Sequence, residues 1–200
     1  MILISDKISS LVIDTLREQT REQNIAVIFL YCDYQAQGDQ STVNLIGSFV
    51  RQAALRAPRI PSEIKSAFDK SKQEGGDGLR LPEIVKLFVK VISSTEVVYL
   101  CVDAVDEVLP QHRIEFLRAL RQIVQDAPNV RVFLTGRPHI RAELDMHLTN
   151  RAYSILIVPD QGDITKYLSH MIDHDQDPSL MTEDLKNDIV KRMLERASGM

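Results

Sequence analysis

Three carboxylates, Asp103, Asp106 and Glu107, follow directly on the apolar run Val97-Val98-Tyr99-Leu100-Cys101-Val102. Such a run reads as a strand buried on both faces, and it delivers Asp103 at its carboxyl end, the edge of a parallel sheet where ligands bind. Carboxylates held this close repel one another, and a Mg²⁺ ion with its waters, or a basic partner, relieves the repulsion. Two readings stand side by side: Asp103 holds a divalent metal, or it caps the following turn while Asp106 and Glu107 are solvated loop charges. A second apolar run, Val130-Arg131-Val132-Phe133-Leu134, ends in Thr135-Gly136-Arg137-Pro138. If the two strands are neighbours, Thr135 and Arg137 face the same ligand as Asp103. A guanidinium there either senses or stabilises a terminal phosphate, or pairs with Asp103, Asp106 or Glu107 as a local ion pair.

The elements that must position these groups alternate in type. Residues 6 to 23 carry Ile8, Leu11, Val12 and Leu16 at helical spacing, and Ile25 to Tyr31 is a short apolar run rich in β-branched and aromatic residues, a buried strand. Ser41 can cap a helix running to about Leu55, with Leu45, Ile46, Phe49 and Val50 on its apolar side. Pro58 and Pro61 break the chain before a helical pair, one segment around Ile64 and Phe68 and a second begun by Pro82, with the turn Gly75-Gly76-Asp77-Gly78 between them. After the acidic stretch, Ile114, Leu117, Leu120, Ile123 and Val124 form an amphipathic helix that Pro128 stops. A helical or irregular piece over 139–150, a last strand over Tyr153 to Val158 and helices over 163–173 and 182–197 complete the expected order. Apolar strands separated by helices imply a parallel sheet covered on both faces, a three-layer α/β architecture.

Composition narrows the function classes. The 200 residues are 44% hydrophobic with a formal net charge of -4, which does not favour a nucleic-acid partner, because backbone binding needs clustered Lys and Arg. Cys32 and Cys101 each lie inside an apolar stretch, as buried reduced thiols do. No apolar run approaches the ~20 residues of a membrane span, and the start of the chain lacks the pattern of a secretory signal, so no membrane partner and a cytoplasmic location are expected. Of the five histidines, His112, His139, His147, His170 and His174, only the last pair has i, i+4 spacing, and no third ligand pattern accompanies it. No Gly-x-Ser-x-Gly elbow occurs.

Taken together, Val98 to Glu107 and Thr135-Gly136-Arg137-Pro138 resemble the Walker B and sensor-1 segments of the NACHT branch of STAND NTPases, especially fungal domains similar to the nephrocystin-3-like N-terminal region. Leu30 to Tyr34 resembles that family's second strand and Leu45 to Gln52 the helix after it. Asp163 to Leu168 resembles the opening of its helical lid, and Ala197-Ser198-Gly199-Met200 the start of a further motif. The resemblance covers the chain from about residue 8 onward. It implies a P-loop NTPase-like parallel sheet, with residues 1–160 as a partial nucleotide-binding core and 161–200 as the start of a lid. It also implies Mg²⁺ and ATP, or GTP, as cofactors: Asp103 would hold the metal, Asp106 and Glu107 would position the attacking water, and Thr135 with Arg137 would read the γ-phosphate. Many related NTPases place the catalytic Glu directly after the metal Asp; Ala104 stands there, so slow hydrolysis is expected.

A phosphate-binding loop reads G-x-x-x-x-G-K-[ST], because its glycines let backbone N–H groups wrap the phosphates. The 200 residues contain no such run, and the first glycine is Gly38. In the family this loop and its strand precede the helix corresponding to residues 6 to 23, so they are expected upstream of Met1. The chain by itself is then expected to bind Mg-ATP poorly. Two functions follow: a fragment of a nucleotide-governed signalling switch that acts through self-association or protein partners, or a non-catalytic interaction module on the same scaffold.

Overall fold

A computed structural model describes residues 4–56, 59–73, 78–148, 153–157, 160–173 and 182–197. Two compact units divide at Ala152 and Tyr153. In the first, α1 (Ile4–Gln19), β1 (Ile25–Tyr31), α2 (Thr42–Arg56), α3 (Ser62–Gln73), α4 (Leu81–Val91), β2 (Val97–Asp103), α5 (Pro110–Asp126), β3 (Val130–Leu134) and α6 (Arg141–His147) follow in order. The strands form one parallel sheet in the order β1-β2-β3, with Ile28 beside Leu100 and Leu100 beside Val132. This is the expected α/β architecture, parallel strands flanked by helices.

Strand alternation assigns the two faces. Ala26, Ile28, Val98, Leu100, Val102 and Val130 join the larger core, which also holds Phe49 of α2, Phe88 of α4 and Phe116, Leu117, Leu120 and Ile123 of α5. The three phenylalanines are wholly buried and meet as tilted rings, with centroids 5.7 Å apart for Phe49–Phe88 and 6.1 Å for Phe49–Phe116. Burying each contributes on the order of 2–3 kcal/mol. Val27 and Cys101 face the other way and meet Ile13 of α1, with Leu16, Phe29, Tyr99 and Phe133 packed around them. The sheet is therefore covered on both faces, as continuous apolar strands require.

The local signals act as the sequence suggests. The Ser41 hydroxyl accepts from the Asn44 amide at 3.3 Å to open α2, and the Glu83 carboxylate reaches back to the Arg80 amide at 2.9 Å at the start of α4. Pro110 begins α5, which ends before Pro128.

Three expectations are corrected. The first helix stops at Gln19 rather than 23: the Thr20 hydroxyl donates to the Leu16 carbonyl at 2.7 Å, and the polar residues beyond it have no apolar face to dock. Among its described side chains Ser9 and Ile13 are buried, Thr20 is buried just past its end, and Leu11 is exposed. Residues 153–157 form no strand, although apolar and β-branched; Tyr153, Ile155, Leu156 and Ile157 are exposed, and no ladder partner pairs with them among the described residues. Strand propensity becomes a strand only where backbone hydrogen bonds and a packed face are supplied. Val158 lies outside the described residues, as do Pro58, Gly75 to Asp77, His174 and Ser198 to Met200. In the second unit, α7 (Gln161–Asp173) and α8 (Glu183–Ala197) pack together. No helix of the described residues is long and apolar enough to cross a membrane.

Candidate functional site

The carboxyl ends of β2 and β3 meet side by side. The Thr135 amide donates to the Val102 carbonyl at 2.9 Å, and the Val105 amide to the Thr135 carbonyl at 3.0 Å, so the two loops stay zipped one step beyond the ladder. Between them Ala104 takes a left-handed conformation, φ 53° and ψ 46°. A non-glycine residue there costs on the order of 1 kcal/mol, and the conformation turns the chain sharply after Asp103 into the 3-10 turn Val105–Glu107.

Asp103 is buried, 3% exposed, and its Oδ1 accepts from two hydroxyls, those of Ser9 on α1 and Thr135 after β3. The two hydroxyl oxygens lie 3.5 Å apart, and Thr135 Oγ1 also accepts from the Ala104 amide at 3.0 Å. These hydroxyls give a buried polar group the hydrogen-bond partners that burial would otherwise deny it. Asp103 thus joins α1, β2 and β3 at one point and does not cap the turn after it.

Asp106 and Glu107 have a basic partner. The Arg137 amide donates to Asp106 Oδ1 at 3.2 Å, its Nε lies 3.5 Å from Asp106 Oδ2, and its guanidinium lies 3.7 Å from Glu107. The Arg137 side chain is half exposed, so this pairing is screened by water. Glu107 also accepts from the Tyr34 amide at 3.1 Å, and its carbonyl takes the Gln37 amide group at 2.8 Å, which ties the 3-10 turn Tyr34–Asp39 after β1 into the site. All five residues expected to act together, Asp103, Asp106, Glu107, Thr135 and Arg137, stand at adjoining strand ends. Among the described residues, no group of three His, Cys, Asp or Glu side chains is gathered closely enough to hold a metal by itself.

Two participants escape a reading of the sequence motifs. Ser9 lies on α1 in line with Ile13 and Leu16, and a hydroxyl on a helix's buried face was the available signal. Arg113 of α5 is buried beneath the acidic turn. Its Nε and one amino group grip the Glu143 carboxylate of α6 at 2.7 and 2.9 Å, while the other amino group donates to the carbonyls of Asp106 at 3.0 Å and Val108 at 2.9 Å. The hydrogen bonds to Glu143 raise the Arg113 pKa, and those from Arg113 hold the Glu143 carboxyl below its ordinary value. Arg113 precedes Phe116, Leu117 and Leu120 at helical spacing, which marks it as a cation on a buried face. Cys32, whose amide donates to the Asp103 carbonyl at 3.1 Å, has its thiol pushed up to about 12, by burial first and then by Asp103, Glu107 and Asp106.

The family model described as Nephrocystin 3, N-terminal matches residues 7–137. No curated protein matches the sequence. Among solved structures, the Walker-type ATPase PABY2304 of Pyrococcus abyssi is similar at 14% identity and a TM-score of 0.43, over 90% of this chain and 60% of that one. The chain therefore spans less than two thirds of that ATPase, and a likeness so distant assigns no function. The family match covers more than half of the 200 residues and runs through the whole strand-end cluster from Ser9 to Arg137, and on that ground this α/β chain belongs to the nephrocystin 3, N-terminal family.

Proposed function

We propose that this chain carries the metal-facing and γ-phosphate-facing half of a nucleoside-triphosphate site, within a NACHT-like signalling switch of the fungal STAND type. One observation carries the reading: a buried Asp103 carboxylate, held by two hydroxyls at the end of β2, stands beside a half-exposed guanidinium, Arg137, at the end of β3. The donor set around Asp103 is hard oxygen, from a carboxylate and the Ser9 and Thr135 hydroxyls, which suits Mg²⁺ rather than a thiophilic metal. Asp103 would hold such an ion, which when bound would neutralise phosphate charge. Thr135 and Ser9 fix the carboxylate, Asp106 and Glu107 anchor Arg137, and Arg137 offers its charge to a terminal phosphate. Residues 161–200 would begin a helical lid.

The other half of such a site is a loop of backbone N–H groups, and the sequence holds no G-x-x-x-x-G-K-[ST] run. Calorimetric titration of the 200-residue chain with Mg-ATP tests this: affinity weaker than micromolar is expected, weakened further by Asp103→Asn and by Arg137→Met. Micromolar affinity, or weak binding indifferent to both substitutions, would overturn the assignment.

A second reading is a catalytically silent module that assembles with itself or another protein. It is favoured by the internal pairing of Arg137 with Asp106 and Glu107, which leaves the charges satisfied without a ligand. Sedimentation velocity separates the two: self-association unchanged by Mg-ATP and by Asp103→Asn supports the silent module.

A further inference from the structure

We propose that Arg113 is the positioning residue of the acidic turn: it holds the backbone of Asp106 and Val108 in place while Arg137 exchanges its carboxylate partners for a phosphate. The inference deepens the half-site reading and rests on it for the identity of the anion. Asp106 is gripped twice, at its side chain by Arg137 and at its carbonyl by Arg113.

The two grips differ in strength. The Arg137 side chain is 53% exposed, and its ion-pair distances are 3.5 and 3.7 Å, so solvent and salt weaken it and its departure costs little. Arg113 is 7% exposed and spends four directed bonds of 2.7 to 3.0 Å, two on the Glu143 carboxylate and two on the carbonyls of Asp106 and Val108. A planar fork makes these bonds simultaneously, and a lysine ammonium cannot.

The turn needs such a brace. It begins at the left-handed Ala104 and closes with two local bonds, Glu107 amide to Ala104 carbonyl at 2.9 Å and Val108 amide to Val105 carbonyl at 3.4 Å. Glu143 stands in α6, just past the 3-10 turn Pro138–Ile140 that follows Arg137. Arg113 thereby closes a ring through both loops, from Asp106 to Arg137, along the chain to Glu143 and back to Asp106.

Amide hydrogen exchange on the 200-residue chain, without nucleotide or metal, tests the brace separately from metal or nucleotide binding. Arg113→Met and Arg113→Lys are each expected to speed exchange at the Glu107 and Val108 amides on the order of tenfold, with β2 amides such as Leu100 staying within about twofold of wild type. Arg137→Met is expected to leave all of them near wild type. Glu143→Gln keeps Arg113 in place but weakens the fork, and its turn amides should fall between. Turn amides at wild-type rates in Arg113→Met, turn and strand amides accelerating together in both Arg113 variants, restored turn protection in Arg113→Lys, or equal loosening by Arg137→Met would each overturn the proposal.

Discussion

Cys32 reports on the charge around it. Its thiol, pushed up to about 12 by burial and by Asp103, Glu107 and Asp106, stays protonated and unreactive near neutral pH, and burial pushes Cys101 up to about 11. Iodoacetamide at about pH 8 should therefore label neither cysteine in the folded chain and both in guanidinium, as mass spectrometry would read. Gly136 makes a steric demand at the same site: a Cβ there would come within 2.9 Å of the buried Ile140 Cδ1 and 3.3 Å of Asp106 Oδ1. Gly136→Ala should cost about 1–3 kcal/mol in denaturant unfolding and disturb the Asp106–Arg137 pair. Residues with a motif around them, Asp103, Asp106, Glu107, Thr135 and Arg137, were legible in the sequence. Ser9 and Arg113 were not, because a polar residue on an amphipathic helix shows its partner only when the chain brings a distant carboxylate or carbonyl to it.

At the scale of elements, the link between α5 and α6 depends on one carboxylate. Glu143 has a pKa lowered from the ordinary 4.5, by the hydrogen bonds from Arg113 first, against a smaller opposing effect of burial. A group depressed in the folded state contributes stability that is full above its unfolded pKa and is lost as pH falls through the folded value. Glu143→Gln should thus lower the melting temperature most at neutral pH, and the gap to wild type should close as the pH drops below 4.5. A gap independent of pH would mean that the pair contributes packing only. The elements were readable where period and punctuation agreed, as in β2 and in α5 between Pro110 and Pro128. Residues 153–157 misled, because an apolar run carries no record of whether a neighbouring strand exists to pair with it.

Across the whole first unit, one core holds β1, β2 and β3 against α2, α4 and α5, with Phe88 among its wholly buried members. Phe88→Ala should destabilise by about 3–5 kcal/mol in denaturant titration, and the strand-end site should loosen with it, since β2 is built on that core. That dependence explains why the α/β architecture could be read from apolar strands and helical spacing, while the pairing of Arg137 with Asp106 and Glu107 could only be posed as one of two alternatives. The proposed function makes the buried Asp103 carboxylate the metal-facing point of half a nucleotide site. Its most direct test is paramagnetic broadening of amide signals on adding Mn²⁺ with ATP to the 200-residue chain. Broadening centred on Val102 to Ala104, Ser9 and Thr135 and abolished by Asp103→Asn is predicted; broadening centred elsewhere, or unchanged in Asp103→Asn, would contradict it.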